Sequence, residues 1–145
     1  MAKIIDPGIE NQVRQVFKEM REPVEILFFT SAAEGCEYCA PTRDLLEEIV
    51  PLSDMLRLKV YDIVEAATLA EQYHVDKTPE IVITGRQGLD YGIRIAGIPA
   101  GHEFTSLIHS LVLVSRRDSG LSAATRDFLK LLQKPLHLQV FVTPT

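Results

Sequence analysis

Residues 24–50 have the sequence VEILFFTSAAEGCEYCAPTRDLLEEIV, and this stretch decides the fold. Its first seven residues are apolar nearly throughout and rich in β-favouring side chains, which predicts a short strand covered on both faces. The small residues of 31–35 predict a loop. From Tyr38 onward, apolar residues recur at helical spacing, which predicts a helix. A strand, a loop, two cysteines and a helix therefore follow one another without interruption.

Helices and strands alternate on both sides of this stretch. Asp6 and Pro7 have the residue types of an N-cap and a first helical position, and Pro23 closes the helix that follows. The order of elements predicts an α/β fold with a central mixed four-stranded sheet and helices on both faces. Beyond residue 50, we predict strands over 57–64, 80–84 and 91–97, a hairpin turn over 85–88, and helices over 65–75 and 103–115.

Composition excludes several classes of protein. The 145 residues suffice for a compact unit, and a hydrophobic content of 46% suffices for a core without disulfides. The start, MAKIIDPGIENQ, does not resemble a signal segment, and no apolar run approaches the roughly 18 residues of a membrane span. A net charge of −5 argues against a nucleic-acid partner. We therefore predict a cytoplasmic protein without membrane or nucleic-acid partners.

The last thirty residues repeat the start of the chain. Residues 116–145 predict a linker, a helix over 121–135 and a strand over 136–143. A shift of 112 positions aligns Arg14 with Arg126, Lys18 with Lys130, Pro23 with Pro135 and Phe29 with Phe141. We predict one complete unit over 1–115. Residues 116–145 would then be the linker, helix and first strand of an incomplete second unit, which stops where a second C-x-x-C would be due.

Cys36 and Cys39 are the only cysteines of the chain. Spacing alone leaves three interpretations: a redox couple, half of a metal site, or an inert pair. A zinc or iron–sulfur site usually needs four ligands, and the four histidines are scattered, so no metal site is predicted within one chain. A metal site shared between two chains remains an alternative, as does a noncatalytic docking module.

The predicted elements give the two cysteines different roles. Cys36 follows a buried strand and a loop, at the start of a helix whose unpaired N–H groups and dipole favour a thiolate. Cys39 lies almost one turn further and deeper. Cys36 is therefore predicted to attack, and Cys39 to resolve the mixed disulfide.

A second motif, KTPE at residues 77–80, places a proline at the start of a predicted strand. The topology would bring the Thr78–Pro79 bond opposite the cysteines. A cis peptide bond there would turn the Thr78 backbone toward a substrate, which could pair with it as an added strand. We predict the cis form.

These motifs resemble those of the thioredoxin/glutaredoxin superfamily: CEYC after an apolar strand, and YHVDKTPE before another. RIAGIPAGHEF and the terminal QVFVTPT are more specifically similar to the protein disulfide oxidoreductases of thermophilic prokaryotes, which carry two such units in tandem. The resemblance implies a thioredoxin-like fold, extended by a C-terminal helix and strand. It implies thiol–disulfide oxidoreductase activity through Cys36 and Cys39, supported by Tyr38, Thr78 and Pro79, with Gly97 at the sheet edge beside the active site.

The same resemblance also implies the cofactors and partners of the unit. No cofactor is expected beyond the redox-active Cys36–Cys39 disulfide. Expected partners are protein dithiols and disulfides, together with a thioredoxin-reductase-like or glutathione electron donor. The apolar strand predicted over 136–143 lacks neighbours from its own unit, so we expect it to pair at a sheet edge, within the chain or in a homodimer.

Two features depart from the thioredoxin pattern. The buried strand acid that assists proton transfer in thioredoxins has no clear counterpart, because phenylalanines occupy that part of 24–30. Glu34 and Glu37 flank the nucleophile, and nearby negative charge disfavours a thiolate. We therefore predict a reduction potential nearer the thioredoxin value, about −270 mV, than the strongly oxidising value, about −120 mV.

Overall fold

The computed structural model describes residues 3–143 and has the element order predicted for the first unit. The helices are α1 (Pro7–Phe17), α2 (Cys39–Ile49), α3 (Ala67–Gln72), α4 (His102–Arg116) and α5 (Ala123–Leu129). The strands are β1 (Val24–Thr30), β2 (Leu56–Asp62), β3 (Glu80–Thr84) and β4 (Asp90–Ala96). Short 3-10 turns at Val50–Leu52 and Arg86–Gly88 precede β2 and β4.

The four strands form one mixed sheet in the order β2-β1-β3-β4. β1 lies in the middle, parallel to β2 and antiparallel to β3, and β3 and β4 form the predicted hairpin. Thr30 is opposite Asp62, so β1 and β2 end at the same edge. Because Phe29 is opposite Glu80, β3 begins at that edge as well. The predicted central sheet is confirmed.

The alternating side chains of β1 supply both faces of the core. Ile26 and Phe28 pack into the larger cluster, which α1, α2 and α4 complete on one face of the sheet. Leu27 and Phe29 join a smaller cluster with Ala70 of α3 on the other face. This two-sided burial explains why the strand is apolar nearly throughout rather than alternating. Helices on both faces are confirmed.

A buried hydroxyl joins α4 to the turn between α1 and β1. Ser115 Oγ accepts hydrogen bonds from the Arg21 and Glu22 amides at 2.9 and 3.1 Å and donates to the Glu22 carbonyl at 2.6 Å. The serine is fully buried, so these turn groups are satisfied without water. The contact fixes where the central strand enters the sheet.

The helices α1 and α5 end in the same way, 112 positions apart. Lys18 caps α1 with φ −63° and ψ −19°, and Lys130 caps α5 with φ −64° and ψ −19°. The next amide donates three residues back in both cases at 3.0 Å, from Glu19 to Val16 and from Leu131 to Phe128. The helix ends therefore match in the register that the sequence alignment gives.

The strand predicted over 136–143 is wrong for this structure, and the helix predicted over 121–135 is shorter than expected. α5 ends at Leu129, and residues 135–143 form neither helix nor strand. A strand needs a neighbour for its backbone hydrogen bonds, and within residues 3–143 the segment pairs with neither edge strand of the sheet, β2 or β4, so the pairing expected within the chain does not form. Leu138 and Phe141 are 86% and 88% exposed, so the segment lacks an apolar partner as well.

Candidate active site

Cys36 and Cys39 form a disulfide with their Cα atoms 5.4 Å apart. α2 begins at Cys39, with Tyr38 as its N-cap, so Cys36 lies in the turn immediately before the helix rather than at its first position. The Cys36 carbonyl accepts the Cys39 amide at 3.3 Å and closes that turn. The positive end of the α2 dipole therefore adjoins the pair, as predicted.

The two cysteines differ in burial. Cys39 is 5% exposed and belongs to the core, whereas Cys36 is half-buried. An incoming protein thiolate can therefore approach the residue nearer the surface more readily than its partner. This asymmetry supports the predicted division between an attacking Cys36 and a resolving Cys39.

Gly35, the residue before Cys36, has a positive φ angle, a backbone conformation that favours glycine. Its φ is +107°, and a Cβ atom built on it would meet no heavy atom within 4 Å. The requirement is therefore one of backbone conformation rather than space. Two residues earlier, the Ala33 amide donates to Ser31 Oγ at 3.1 Å and bends the start of the loop.

Tyr38 stands at the surface above the start of α2. Its side chain is 48% exposed, and its carbonyl accepts the Thr42 amide at 3.0 Å and the Thr42 hydroxyl at 2.6 Å. The fully buried Thr42 thus fixes the backbone between the two cysteines. Thr42 was missed in the sequence analysis, although a threonine four residues after Tyr38 is a signal for such a bond. The role of Tyr38 in contacting substrate stays a prediction.

The Thr78–Pro79 peptide bond is cis, as predicted. Pro79 is buried and its carbonyl accepts the Gly97 amide at 2.9 Å, where Gly97 has a φ of +89°. Because Glu80 pairs with Phe29, Pro79 lies level with the end of β1, from which the chain continues to Cys36. The topology brings the Thr78–Pro79 turn, Gly97 and the cysteine loop to one edge of the sheet.

Glu34 and Glu37, the predicted modulators of the nucleophile, are both exposed next to Cys36 in sequence. Replacing Glu37 with glutamine should lower the pKa of the reduced Cys36 thiol, because it removes a negative charge that disfavours the thiolate. The expected shift is small, about a few tenths of a pKa unit, because solvent screens an exposed charge. The pH dependence of alkylation of the reduced protein measures this. Glu71→Gln, an exposed glutamate on α3, is the control. An unchanged or higher pKa in Glu37→Gln would contradict the assignment.

Asp62 is a residue of this edge that the sequence analysis missed. Its Oδ2 atom accepts the Ala32 amide at 2.8 Å, and its Oδ1 atom accepts the Val64 and Glu65 amides at 2.9 and 3.2 Å. These three hydrogen bonds, of which the one from Ala32 has the largest effect, hold the pKa of the carboxyl below its usual value. An acid at the end of a predicted strand was the only sequence signal, and it did not reveal the bond to Ala32, thirty residues away.

Glu80 is a second missed residue, directly after Pro79. It is 4% exposed, and burial raises its pKa above the usual 4.5, while the charges of Lys77 and Arg94 oppose the shift. Among residues 3–143, no group lies within hydrogen-bonding distance of its Oε2 atom. The chain therefore has a buried strand acid, but on β3, and not on β1, where the thioredoxin pattern would place it.

Two kinds of site are absent from the described residues. Within residues 3–143, no group of three or more histidine, cysteine, aspartate or glutamate side chains could hold a metal ion. In the same part of the chain, no helix combines the length and the hydropathy needed to cross a membrane.

No protein-family model matches the chain, but curated proteins and solved structures do. AhpF of Staphylococcus epidermidis, a subunit of alkyl hydroperoxide reductase, is 28% identical over 142 residues, which are 98% of this chain and 25% of that protein. AhpF of Pseudomonas aeruginosa is also 28% identical, over 138 residues and 24% of its length. This chain thus spans about a quarter of the curated relatives that it matches.

A protein disulfide oxidoreductase from Aeropyrum pernix superposes with a TM-score of 0.76 and 28% identity, over 90% of this chain and 57% of that one. AhpF of Enterococcus faecalis superposes with a TM-score of 0.79 and 25% identity, over 90% of this chain and 62% of that one. The mixed sheet, the disulfide that adjoins the start of α2 and these similarities identify the chain as carrying a thioredoxin/glutaredoxin-like unit equipped for thiol–disulfide exchange.

Proposed function

We propose that the chain exchanges disulfides with other proteins through Cys36 and Cys39. The observation that carries this proposal is the disulfide between a half-buried Cys36 and a buried Cys39, next to the N-terminus of α2. Only one of the two cysteines lies near the surface, and a helix N-terminus stabilises the thiolates that exchange requires.

The exchange balances atoms and electrons without a further cofactor. A substrate thiolate attacks Cys36 sulfur, the Cys36–Cys39 bond breaks, and Cys39 leaves as a thiolate that takes up a proton. A second substrate thiolate then attacks the substrate sulfur of the mixed disulfide and releases Cys36. The substrate dithiol loses two electrons and the protein pair gains them. The reverse sequence reduces a substrate disulfide.

The edge beside the pair supplies the proposed binding surface. The backbone of Thr78 would pair with an extended substrate segment, with Tyr38 contacting the segment and Gly97 leaving its path open. The hydrogen bond from Gly97 to the Pro79 carbonyl supports this arrangement, because it fixes two sides of the same edge.

The names of the relatives suggest a direction for the exchange. One is a subunit of an alkyl hydroperoxide reductase and another is a protein disulfide oxidoreductase. We propose that this unit receives electrons from a thioredoxin-reductase-like or glutathione donor, in the cytoplasm, and delivers them to the disulfide of a partner protein. Glu34 and Glu37 support the reducing direction. Their negative charge disfavours the thiolates of the reduced pair, so the reduced pair gives up its electrons more readily.

A redox titration of the purified chain against glutathione tests this function. Free thiols are counted by alkylation and mass spectrometry at each potential. A two-electron transition of Cys36 and Cys39 together, nearer about −270 mV than about −120 mV, is the expected result. Cysteines that stay unreactive, or react only after a chelator, would favour a noncatalytic docking module or a metal site shared between chains.

We also propose that the chain has two parts, a complete unit over 1–115 and, over 116–145, the linker and helix of a second unit followed by a segment that is not a strand in this structure and would become one only by pairing with a neighbour. The matching caps at Lys18 and Lys130 support this division. In the same register, Phe141 corresponds to Phe29, which is fully buried in β1, yet Phe141 is 88% exposed. The exposed apolar side chains of residues 136–142 are therefore the ones that would be buried if this segment paired with a sheet.

The exposed segment 136–143 gives a testable assembly. We expect it to pair with a sheet edge of a second copy, so that the full chain is dimeric and a chain without residues 135–145 is monomeric by light scattering. Leu138→Asp should have the same effect at full length, because Leu138 is 86% exposed and would be desolvated in the pair. Val64→Asp, an exposed apolar position outside the segment, is the control. An unchanged assembly state after deletion would contradict the proposal.

A further inference from the structure

One carboxylate ties the loop before Cys36 to the rest of the sheet. Asp62 is the last residue of β2 and lies opposite Thr30, the last residue of β1. The Ile63 amide still donates to the Thr30 carbonyl at 2.9 Å, and beyond that bond the two segments diverge, one toward Cys36 and the other toward α3. Asp62 Oδ2 accepts the Ala32 amide on the first path, and Oδ1 accepts the Val64 and Glu65 amides on the second.

We propose that Asp62 is a positioning residue for thiol–disulfide exchange, which holds the 31–35 loop so that Cys36 stays within bonding reach of Cys39. This inference rests on the proposed function. Both carboxylate oxygens are occupied, so neither path can move without breaking a hydrogen bond to an ionised acceptor, which is a comparatively strong kind.

The loop has little else to hold it. Ala32 and Ala33 are exposed and carry no side chain that could anchor the backbone, and Gly35 is conformationally permissive. In the part of the chain that the structure describes, the Ser31 hydroxyl makes its hydrogen bond within the loop itself, accepting from the Ala33 amide. The bond from Ala32 to Asp62 is thus the contact that sets the direction in which the chain leaves β1.

The position of Cys36 matters at the step that closes the disulfide. When Cys36 carries a glutathione, the Cys39 thiolate attacks Cys36 sulfur, the bond to glutathione breaks, and glutathione leaves as a thiolate that takes up a proton. A held pair has a high effective concentration for this attack. If the loop is released from Asp62, the effective concentration of the Cys39 thiolate at Cys36 falls, so the equilibrium shifts from the protein disulfide toward the dithiol.

The test is the equilibrium constant for the reaction of the protein disulfide with two glutathione molecules to give the protein dithiol and glutathione disulfide. We expect Asp62→Ala to raise it about three- to ten-fold, a size set by the loss of roughly one hydrogen bond. Asp62→Asn should raise it less, because its one amide oxygen can still accept from Ala32 or from Val64. Asp118→Ala, which removes a bond from the Gly120 amide and an ion pair with Arg126 far along the chain, should leave the equilibrium constant unchanged.

The pair of variants separates position from charge. Both remove the negative charge, but only Asp62→Asn keeps an acceptor. Equal shifts in the two variants would mean that Asp62 acts through its charge, and no shift in Asp62→Ala would mean that the bond is merely structural; either result overturns the inference. A wild-type chain that does not exchange with glutathione would instead overturn the proposed function.

Discussion

Replacing Cys36 with serine is expected to abolish exchange, whereas replacing Cys39 with serine should trap a mixed disulfide. A serine hydroxyl does not attack a disulfide sulfur under these conditions, so the Cys36→Ser rate should fall by roughly three orders of magnitude or more. Without Cys39 the first attack still proceeds, but nothing inside the protein resolves its product. The half-buried Cys36 and the buried Cys39 predict this order of events.

Mass spectrometry measures the difference. After incubation with glutathione disulfide, Cys39→Ser should carry one glutathione on Cys36, and Cys36→Ser should carry little on the buried Cys39. The free energy of unfolding of both variants should be compared with that of the reduced wild type, because the disulfide itself contributes to stability. Faster labelling of Cys39 than of Cys36 would reverse the assigned roles.

Replacing Glu80 with glutamine is expected to stabilise the fold at neutral and higher pH by about 1–2 kcal/mol. Burial raises the folded-state pKa of Glu80 above the usual 4.5. The folded state therefore binds the proton more tightly than the unfolded state, and stability falls as pH rises from the unfolded pKa to the folded pKa. Glutamine cannot ionise, so its advantage should be absent near pH 4 and fully present above the folded pKa. Urea unfolding across this range measures it.

Glu10→Gln is the control with the opposite sign. Hydrogen bonds from Lys3 and Arg14 lower the pKa of the partly exposed Glu10, so its charge favours folding, and this stabilisation is lost as pH falls through the lowered folded pKa. Its glutamine variant should gain no stability at neutral pH. An equal gain in both variants, or a pH-independent gain in Glu80→Gln, would show that ionisation of Glu80 is not the cause.

Hydrophobic periodicity and turn residues predicted the sheet and the helices of the first unit well. β1 has the predicted bounds because its apolar residues are buried on both faces and Pro23 marks its start. The cysteine pair could also be predicted, since it depends on a few adjacent residues. The cis Thr78–Pro79 bond could be predicted because a proline at a strand start lies, by the topology, opposite that pair.

The features that the sequence did not reveal depend on contacts between distant residues. The bond between Asp62 and Ala32 exists only because β1 and β2 are parallel and end together. Glu80 looked like an ordinary charged residue at a strand start, and its burial follows from pairing with Phe29 and Ala96 on both sides. The strand predicted over 136–143 has the right composition, but composition does not supply a hydrogen-bonding neighbour.

The uncovered C-terminal segment has a consequence for how the chain behaves in concentrated solution. Residues 136–142, LHLQVFV, combine high β-propensity with the absence of acidic, lysine and arginine side chains and of proline, and Val140 and Phe141 are almost fully exposed. Such windows nucleate cross-β aggregates when they are unprotected. Pro135 and Pro144 frame the window in the sequence, and proline interrupts the backbone ladder on which a growing fibril depends. The chain thus carries a proline at each end of this exposed, β-prone stretch.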